Sequence, residues 1–148
     1  MILSLVWAGK RPFSDCERMT GYMGFEKGWN PFMEYNNIEV VSVSTEKSVL
    51  KAEISENSLN PYGMIHGGLL YTLIDCTAGI TARADGNPYV TQNSYVNFLY
   101  NVKDEKVIYA ESDVIRRGKT VVVVHVRVYT TDGKDLADAV VDMFRVNG

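Results

Sequence analysis

Asp75 is a single carboxylate in the most apolar stretch of the chain, and its setting is the strongest sign of chemistry in the sequence. Across residues 64–82 the only other side chain that can carry charge near neutral pH is His66. An ionised carboxylate among apolar side chains costs several kcal/mol unless something compensates for it. Asp75 therefore reaches solvent, has partners, or takes part in a reaction.

Two consecutive glycines, Gly67 and Gly68, follow His66 at the predicted start of a helix. Each glycine in a helix costs about 0.5–1 kcal/mol relative to alanine. In return it leaves open space around the unpaired N–H groups at the positive end of the helix. Such groups suit a developing oxyanion or a polarised carbonyl. Close backbone packing is the plainer explanation of the glycines, and a helix cap is the plainer explanation of His66.

The spacing of Gly67 and Asp75 predicts a dimer. Asp75 lies eight residues after Gly67, which is about 12 Å along a helix at about 1.5 Å per residue. One carbonyl group cannot touch both positions on one helix. If both act on one substrate, the helices of two subunits run antiparallel, and each site is composite.

The elements that must position these residues follow from hydrophobic periodicity. Apolar residues at helical spacing predict one helix that starts at His66-Gly67-Gly68 and stops by Asp85-Gly86-Asn87-Pro88. Two strand-like runs precede it and four follow it, and the short turns between the last four predict antiparallel neighbours. The predicted strands are residues 38–44, 48–55, 90–100, 106–116, 120–130 and 135–146. This order, β-β-α-β-β-β-β, predicts an α+β fold with a long central helix wrapped by a curved antiparallel sheet of about six strands.

The bulk properties limit the class of protein. The chain has 148 residues, 46% hydrophobic and 22% charged, which is enough for one domain with a sizeable core. We expect residues 1–29 to be an N-terminal extension with a short helix near residues 15–23, and residues 30–148 to form a single domain. The net charge of −3 argues against nucleic-acid binding.

The cysteines, the first residues and the apolar stretch lead to expectations about metal binding and cellular location. Cys16 and Cys76 lack metal-ligand spacing, and Cys76 is expected to be a buried free thiol. Without a secretory signal at residues 2–8, we expect a cytoplasmic protein. The apolar stretch is predicted to be a buried core helix and not a membrane span, because it holds Asp75 near its middle.

The array formed by Asn60, His66-Gly67-Gly68 and Asp75 resembles the signature of hotdog-fold acyl-CoA thioesterases. The nearest group is the branch that resembles phenylacetyl-CoA and 4-hydroxybenzoyl-CoA thioesterases, and the likeness runs from about residue 30 to residue 146. Weaker matches lie at residues 30–32, 90–91, 96–99 and 117–120.

The resemblance implies roles for individual residues. It implies that the Gly67 N–H polarises the thioester carbonyl and that Asp75 is the nucleophile or general base. Asn60 and His66 would position the attacking water or the thioester, and Thr91 would lie near the carboxylate. Further substrate contacts would come from Gly68 and, for the CoA phosphates, from Arg116, Arg117 and Lys119, although a solvated turn also explains these three cations.

The resemblance also implies partners. Coenzyme A would be part of the substrate, with no separate cofactor and no metal, because a thiolate leaves readily from a carboxylate-assisted site. The protein would form homodimers that can pair into homotetramers.

Three alternatives stay open. A hotdog dehydratase or hydratase would use a His and a carboxylate in a different arrangement. A non-catalytic acyl-CoA-binding hotdog protein would be expected to lack the carboxylate or to carry a DNA-binding extension. In an idle hotdog domain, Asp75 would be a structural carboxylate held by backbone donors.

Overall fold

A computed structural model describes residues 30–147 of the chain. The predicted N-terminal extension, its short helix near residues 15–23 and Cys16 lie outside the described residues. The description therefore begins at Asn30, which starts the first helix.

The first elements are a short helix and a hairpin. Helix α1 (Pro31–Tyr35) is capped by the Asn30 side chain, which accepts from the backbone N–H of Phe32 at 3.0 Å. Strands β1 (Ile38–Ser42) and β2 (Val49–Glu53) then form the predicted antiparallel hairpin.

Helix α2 (Gly67–Arg83) is the predicted central helix. It begins after a 3₁₀ turn at Glu56–Ser58 and a loop. It is buried along most of its length, and every residue from Cys76 to Ala82 is buried. Within residues 30–147, no helix is long and apolar enough to cross a bilayer.

Four long strands follow α2, as predicted. They are β3 (Tyr89–Phe98), β4 (Val107–Arg117), β5 (Val121–Thr130) and β6 (Asp135–Arg145). All six strands form one antiparallel sheet in the order β1-β2-β4-β5-β6-β3.

The position of β3 corrects one expectation. The short turn expected at residues 102–105 had predicted that β3 and β4 are neighbours. Instead β3 pairs with β6 at the edge of the sheet, while β4 lies between β2 and β5. The connection therefore carries the chain from the edge into the middle of the sheet. It does so past the start of α2, where it helps to form the site.

The core lies between α2 and one face of the sheet. Helix α2 contacts strands β2 to β6, and β5 alternates strictly between buried and half-buried residues. The predicted inward set of β5, Val122, Val124, Val126 and Val128, is fully buried. The predicted helix wrapped by a six-stranded antiparallel sheet is thus confirmed.

Candidate active site

His66 caps the start of α2. Its Nδ1 accepts a hydrogen bond from the backbone N–H of Gly68 at 2.8 Å, so a neutral His66 ring carries its proton on Nε2. A Cβ on residue 68 would lie 2.9 Å from that same Nδ1. Gly68 is therefore needed to let the ring fold back, and its N–H is already occupied. Of the two expected open N–H groups, only that of Gly67 remains.

The Gly67 N–H has no hydrogen-bond partner within residues 30–147. It sits at the first position of α2, at the positive end of the helix dipole. A surface pocket of about 280 Å³ opens beside it, lined by Gly67, Leu70, Phe98, Leu99, Tyr100 and Asn101. An unpaired donor next to a mainly apolar pocket can polarise a carbonyl whose apolar part occupies that pocket.

Asn101 is a residue of this site that the sequence alone does not indicate. Its Nδ2 donates to the carbonyl of Ile65 at 2.9 Å, just before the cap of α2. Its Oδ1 accepts from the N–H of Val102. Asn101 thus ties the connection between β3 and β4 to the start of α2. No local pattern signals this contact, because 36 residues separate the two partners.

Asp75 lies midway along α2, where it faces the edge strand β3. It is half-buried, and its Oδ1 accepts from Thr91 Oγ1 at 2.6 Å. Thr91 Oγ1 also lies 3.6 Å from the sulfur of Met143. Within the described residues, Thr91 is the only hydrogen-bond donor to Asp75. The second carboxylate oxygen is therefore free to accept a proton from water or to attack a carbonyl carbon.

Helix α2 and strand β3 run antiparallel to each other. Phe98 lies beside Gly67, and Thr91 lies beside Asp75. Near the helix end, Arg83 reaches the carbonyl of Tyr89. Gly67 and Asp75 are thus about two turns apart on the same helix, as the spacing predicts.

Asn60 organises the loop before α2. Its Oδ1 accepts from the backbone N–H groups of Tyr62 at 2.9 Å and Met64 at 3.1 Å. The turn that the sequence predicted at Asn60 is therefore present. The Nδ2 group of Asn60 has no partner in the part of the chain that the structure describes, so it can bind water or a ligand.

Arg117 does not serve as the expected phosphate ligand. Its two terminal nitrogens bind the carbonyls of Thr81, Ala82 and Thr45 and the carboxylate of Asp85, at 2.6–3.0 Å. Every terminal N–H is thereby used, and Arg117 fastens the end of α2 to β4 and to the β1–β2 hairpin. This corrects the expectation for Arg117, whose partners are 32 to 72 residues away in sequence.

Asp85 completes this anchor. Burial alone would raise the pKa of its carboxyl, but the N–H of Asn87, the hydroxyl of Tyr89 and the guanidinium of Arg117 together hold the pKa below its ordinary value. Burial, together with Asp85, raises the pKa of Tyr89. The end of α2 is therefore held by an ionised carboxylate with three polar partners.

Arg116 and Lys119, the other two cations expected at the phosphates, are exposed. Arg116 follows a bulge in β4, and Lys119 lies in the turn before β5. Neither one forms a salt bridge within residues 30–147.

Cys76 is buried, as expected. Burial and the neighbouring Asp75 raise the pKa of its thiol to about 12. The thiol is thus protonated near neutral pH and is a poor nucleophile. Among the described residues, no three His, Cys, Asp and Glu side chains are grouped as a metal site.

Comparison with known proteins shows the family to which the chain belongs. Residues 62–137 match the model of the thioesterase superfamily. A Saccharolobus solfataricus protein named as a candidate esterase is 31% identical over 110 residues, covering 72% of this chain and 77% of that protein. Mouse acyl-coenzyme A thioesterase 13 is 27% identical, covering 56% of this chain and 61% of the mouse protein.

A solved structure shares the fold. A hypothetical thioesterase from Streptococcus pneumoniae, crystallised with coenzyme A, superimposes with a TM-score of 0.71 at 29% identity, covering 75% of this chain and 87% of that one. The helix-and-sheet arrangement described above is therefore the fold of a thioesterase-superfamily protein.

Proposed function

The chain belongs to the thioesterase superfamily and is by that membership a thioester hydrolase; we propose that it hydrolyses acyl-CoA thioesters to a free acid and CoA. The observation that carries the proposal is the pair of available polar groups on α2. The Gly67 N–H lacks a partner, and Asp75 has one donor and one free oxygen. One relative is named as an acyl-CoA thioesterase, and a solved structure of similar fold holds coenzyme A. Both support an acyl-CoA as the substrate.

Each residue of the candidate site has its own role in the reaction. The Gly67 N–H polarises the thioester carbonyl and stabilises the negative charge that develops on its oxygen. Asp75 either removes a proton from the attacking water or attacks the carbonyl carbon itself, and Thr91 holds its carboxylate in place. On the base route, water adds to the carbonyl carbon, the C–S bond breaks to give the free acid, and the CoA thiolate takes up the proton from Asp75. On the nucleophilic route, the C–S bond breaks to leave an acyl–Asp75 anhydride, which water hydrolyses to the free acid, and a proton from that water goes to the thiolate. His66 fixes the helix start and Asn60 the loop before it, and CoA is the only cofactor-like group required.

The acyl part has a pocket beside the carbonyl. Leu70, Phe98, Leu99 and Tyr100 supply its apolar wall next to Gly67. Burial of apolar acyl surface there would contribute roughly 25 cal/mol per Å². The pocket therefore favours an apolar acyl group over a charged one.

Edge strand β3 supports a homodimer. It has ten residues with one unpaired edge, whereas the opposite edge strand β1 has only five. Val90, Tyr95 and Phe98 are exposed along β3. A long unpaired edge strand that exposes three large apolar side chains is a template for pairing with a second copy.

Antiparallel pairing of two β3 strands would also bring the two groups together. Each Phe98 end, with Gly67 beside it, would meet the Tyr89–Thr91 end of the other subunit, where Asp75 lies. Each site would then combine Asp75 of one subunit with Gly67 of the partner. Such dimers can pair into tetramers. A fully active monomer would contradict this part of the proposal.

The experiment is a panel of acyl-CoA thioesters, short to long and aromatic, hydrolysed by the natural chain and by Asp75→Asn. We expect Asp75→Asn to fold normally and to lose about 10²–10⁴ in kcat, since general-base or nucleophilic catalysis contributes on that scale. The matched control is Asp142→Asn, a carboxylate on β6 that lies between the buried Val141 and Met143 and is therefore on the face of the sheet away from α2.

Two outcomes would contradict the proposal. Near-native turnover of every substrate by Asp75→Asn would remove Asp75 from the mechanism. Hydration of an enoyl-CoA, or tight CoA binding without any hydrolysis, would favour the hydratase or the non-catalytic alternative.

A further inference from the structure

Arg83, the last residue of α2, folds back along the helix. A Cβ placed on Gly79 would lie 2.9 Å from Arg83 Nη2 and 3.0 Å from its Nη1, so the guanidinium lies directly over that glycine. This direction is the usual one, because helix side chains point towards the N-terminus and cover the preceding turn. Glycine is unfavourable in the middle of a helix. At residue 79 it provides the space that the guanidinium occupies.

Helix α2 and strand β3 both place this guanidinium close to Asp75. On α2, Gly79 follows Asp75 by four residues, which is about 6 Å along the axis and on the same side of the helix. On β3, the carbonyl of Tyr89 accepts from Arg83 Nη1 at 3.3 Å. Tyr89 precedes Thr91, the donor to Asp75, by two residues, or about 6–7 Å. The guanidinium therefore lies about one helical turn from the Asp75 carboxylate, towards the end of the helix.

The thiol of Cys76, next to Asp75 in the sequence, responds to both charges. Burial and Asp75 raise its pKa, and Arg83 acts in the opposite direction and lowers it. Within residues 30–147, Asp75 and Arg83 nevertheless form no salt bridge with each other. The carboxylate and the cation thus face the same region without contact, and an atom of the substrate can lie between them.

The fold does not use the charge of Arg83. In the described part of the chain, no acidic side chain lies within salt-bridge distance of it. A cation in the last turn also stabilises the end of a helix, but Arg117 already binds the carbonyls of Thr81 and Ala82 there, together with Asp85. Apart from its contact with β3, the guanidinium of Arg83 therefore has N–H groups available for a ligand.

We propose that Arg83 stabilises the negative charge that develops on the CoA sulfur as the C–S bond breaks. This rests on the proposed function and adds a third catalytic group to the site, supplied by the same subunit as Asp75. A guanidinium stays protonated throughout, so it acts as a fixed donor and not as an acid. A donor held near a developing charge stabilises the transition state.

The position of Arg83 suits the sulfur atom. Asp75, or the water that it activates, must come within about 3–3.5 Å of the carbonyl carbon. The sulfur is one bond from that carbon, so it can lie between the carboxylate and the guanidinium. The electrons of the C–S bond pass to sulfur, and the thiolate then takes up a proton from Asp75 or from water.

The first experiment varies the leaving group. One acyl group is presented as its N-acetylcysteamine thioester and as its thiophenol thioester, both without a nucleotide. Arg83→Gln should lower kcat about 10²-fold with the first, near the lower end of the scale for one lost oxyanion donor, but less than about tenfold with the second, because thiophenolate is stable without help. Arg83→Lys, which keeps the charge, should recover part of the loss.

The control for this comparison is Arg127→Gln, on an arginine of β5 that pairs with Asp135. It should leave kcat unchanged with both thioesters. Equal losses with the two leaving groups in Arg83→Gln would place Arg83 away from the sulfur and overturn the proposal, and so would an undiminished kcat.

The second experiment moves the guanidinium without removing it. Gly79→Ala puts a Cβ within 3.0 Å of both terminal nitrogens of Arg83. It should reproduce most of the selective loss of kcat, although urea unfolding should show no loss of stability because alanine favours the helix. In the Arg83→Gln background it should have no further effect on kcat. Full activity of Gly79→Ala would show that the guanidinium does not act from its place over residue 79, and would overturn the assignment.

The thiol of bound CoA separates this proposal from the proposed function. If the natural chain hydrolyses no thioester, the proposed function fails, and Arg83 is still tested by CoA itself. The thiolate of bound CoA is measured by its ultraviolet absorbance against the complex with desulfo-CoA. Below the pKa of the thiol, we expect about tenfold more thiolate on the natural chain than on Arg83→Gln at the same pH, because a nearby cation favours the charged form. Equal thiolate fractions would overturn the role of Arg83.

Discussion

The two halves of α2 treat their polar groups in opposite ways. In the second half, the Thr77 and Thr81 hydroxyls are buried and bind helix carbonyls at 2.6 and 2.8 Å. Thr81 also meets Ser112 Oγ at 2.7 Å. In the first half, the Gly67 N–H has no partner in the described part of the chain, and Asp75 has one donor.

This difference separates stability from function within one helix. Folding favours satisfied polar groups, because a buried unpaired donor or acceptor costs about 1–3 kcal/mol. The second half follows that rule and holds the helix in the sheet. The first half leaves groups available at a pocket and an edge strand. Substitutions in the first half should therefore affect turnover, and those in the second half, except at Gly79 and Arg83, should affect unfolding.

After Asp75→Asn, the largest effect should come from Gly67→Pro, which removes the open N–H and puts a ring carbon in its place. Proline is accommodated at the first position of a helix, and His66 has the extended backbone that precedes a proline (φ −67°, ψ 132°). We expect kcat to fall about 10²–10³-fold, the scale measured for loss of one oxyanion donor. Thermal unfolding should change little.

Gly67→Ala is the matched control, because it adds a carbon but keeps the N–H. The new Cβ would lie 3.6 Å from the Phe98 ring, an ordinary contact. Gly67→Ala should thus retain much more activity than Gly67→Pro. Equal losses in both variants would mean that space at residue 67, and not its N–H, is what the reaction needs.

Arg117 on β4 anchors the second half of α2, and Arg117→Gln should destabilise the fold by about 2–4 kcal/mol. The change leaves Asp85 without its cation and three carbonyls without a donor. The measurement is urea unfolding, with kcat determined on the folded fraction. Arg116→Gln, on the adjacent exposed arginine, is the control and should cost under about 0.5 kcal/mol. A stable Arg117→Gln variant with a raised KM for acyl-CoA would return Arg117 to the substrate site.

A smaller, pH-dependent effect should come from Asp85. Because folding lowers its pKa below the ordinary 3.8, its stabilisation is present above that pH and is lost as the pH falls through the folded value. The free energy of unfolding should therefore decline below about pH 4, and Asp85→Asn should make that decline shallower. An identical pH profile in both proteins would contradict the role given to Asp85.

The sequence predicted the helices and strands of this fold better than it predicted which strands are neighbours in the sheet. Helix α2 and the six strands were predicted because their periodicity is local. The separation of β3 from β4 was not, because pairing of β3 with β6 depends on contacts across some fifty residues of chain. Thr91 beside Asp75 came from family resemblance and not from spacing. Arg117 and Asn101 act through partners remote in sequence, so no local pattern could assign them.

The smallest predicted effect concerns Gly68. Its N–H is bound by His66, whereas the N–H of the adjacent Gly67 has no partner in the described part of the chain. A Cβ there would push the His66 ring off its cap, which costs about 1 kcal/mol, while alanine gains up to about 1 kcal/mol in helix propensity. Gly68→Ala should therefore change the free energy of unfolding little, although the capping hydrogen bond is lost.

A double-mutant cycle exposes that loss. His66→Ala should cost about 1 kcal/mol in the natural chain and close to nothing in the Gly68→Ala background, because the cap is already gone there. Urea unfolding of the four proteins gives the coupling energy. Additive effects would mean that His66 does not act as a cap. Its ring would then belong with Gly67 and Asp75 among the groups that the first half of α2 keeps for substrate.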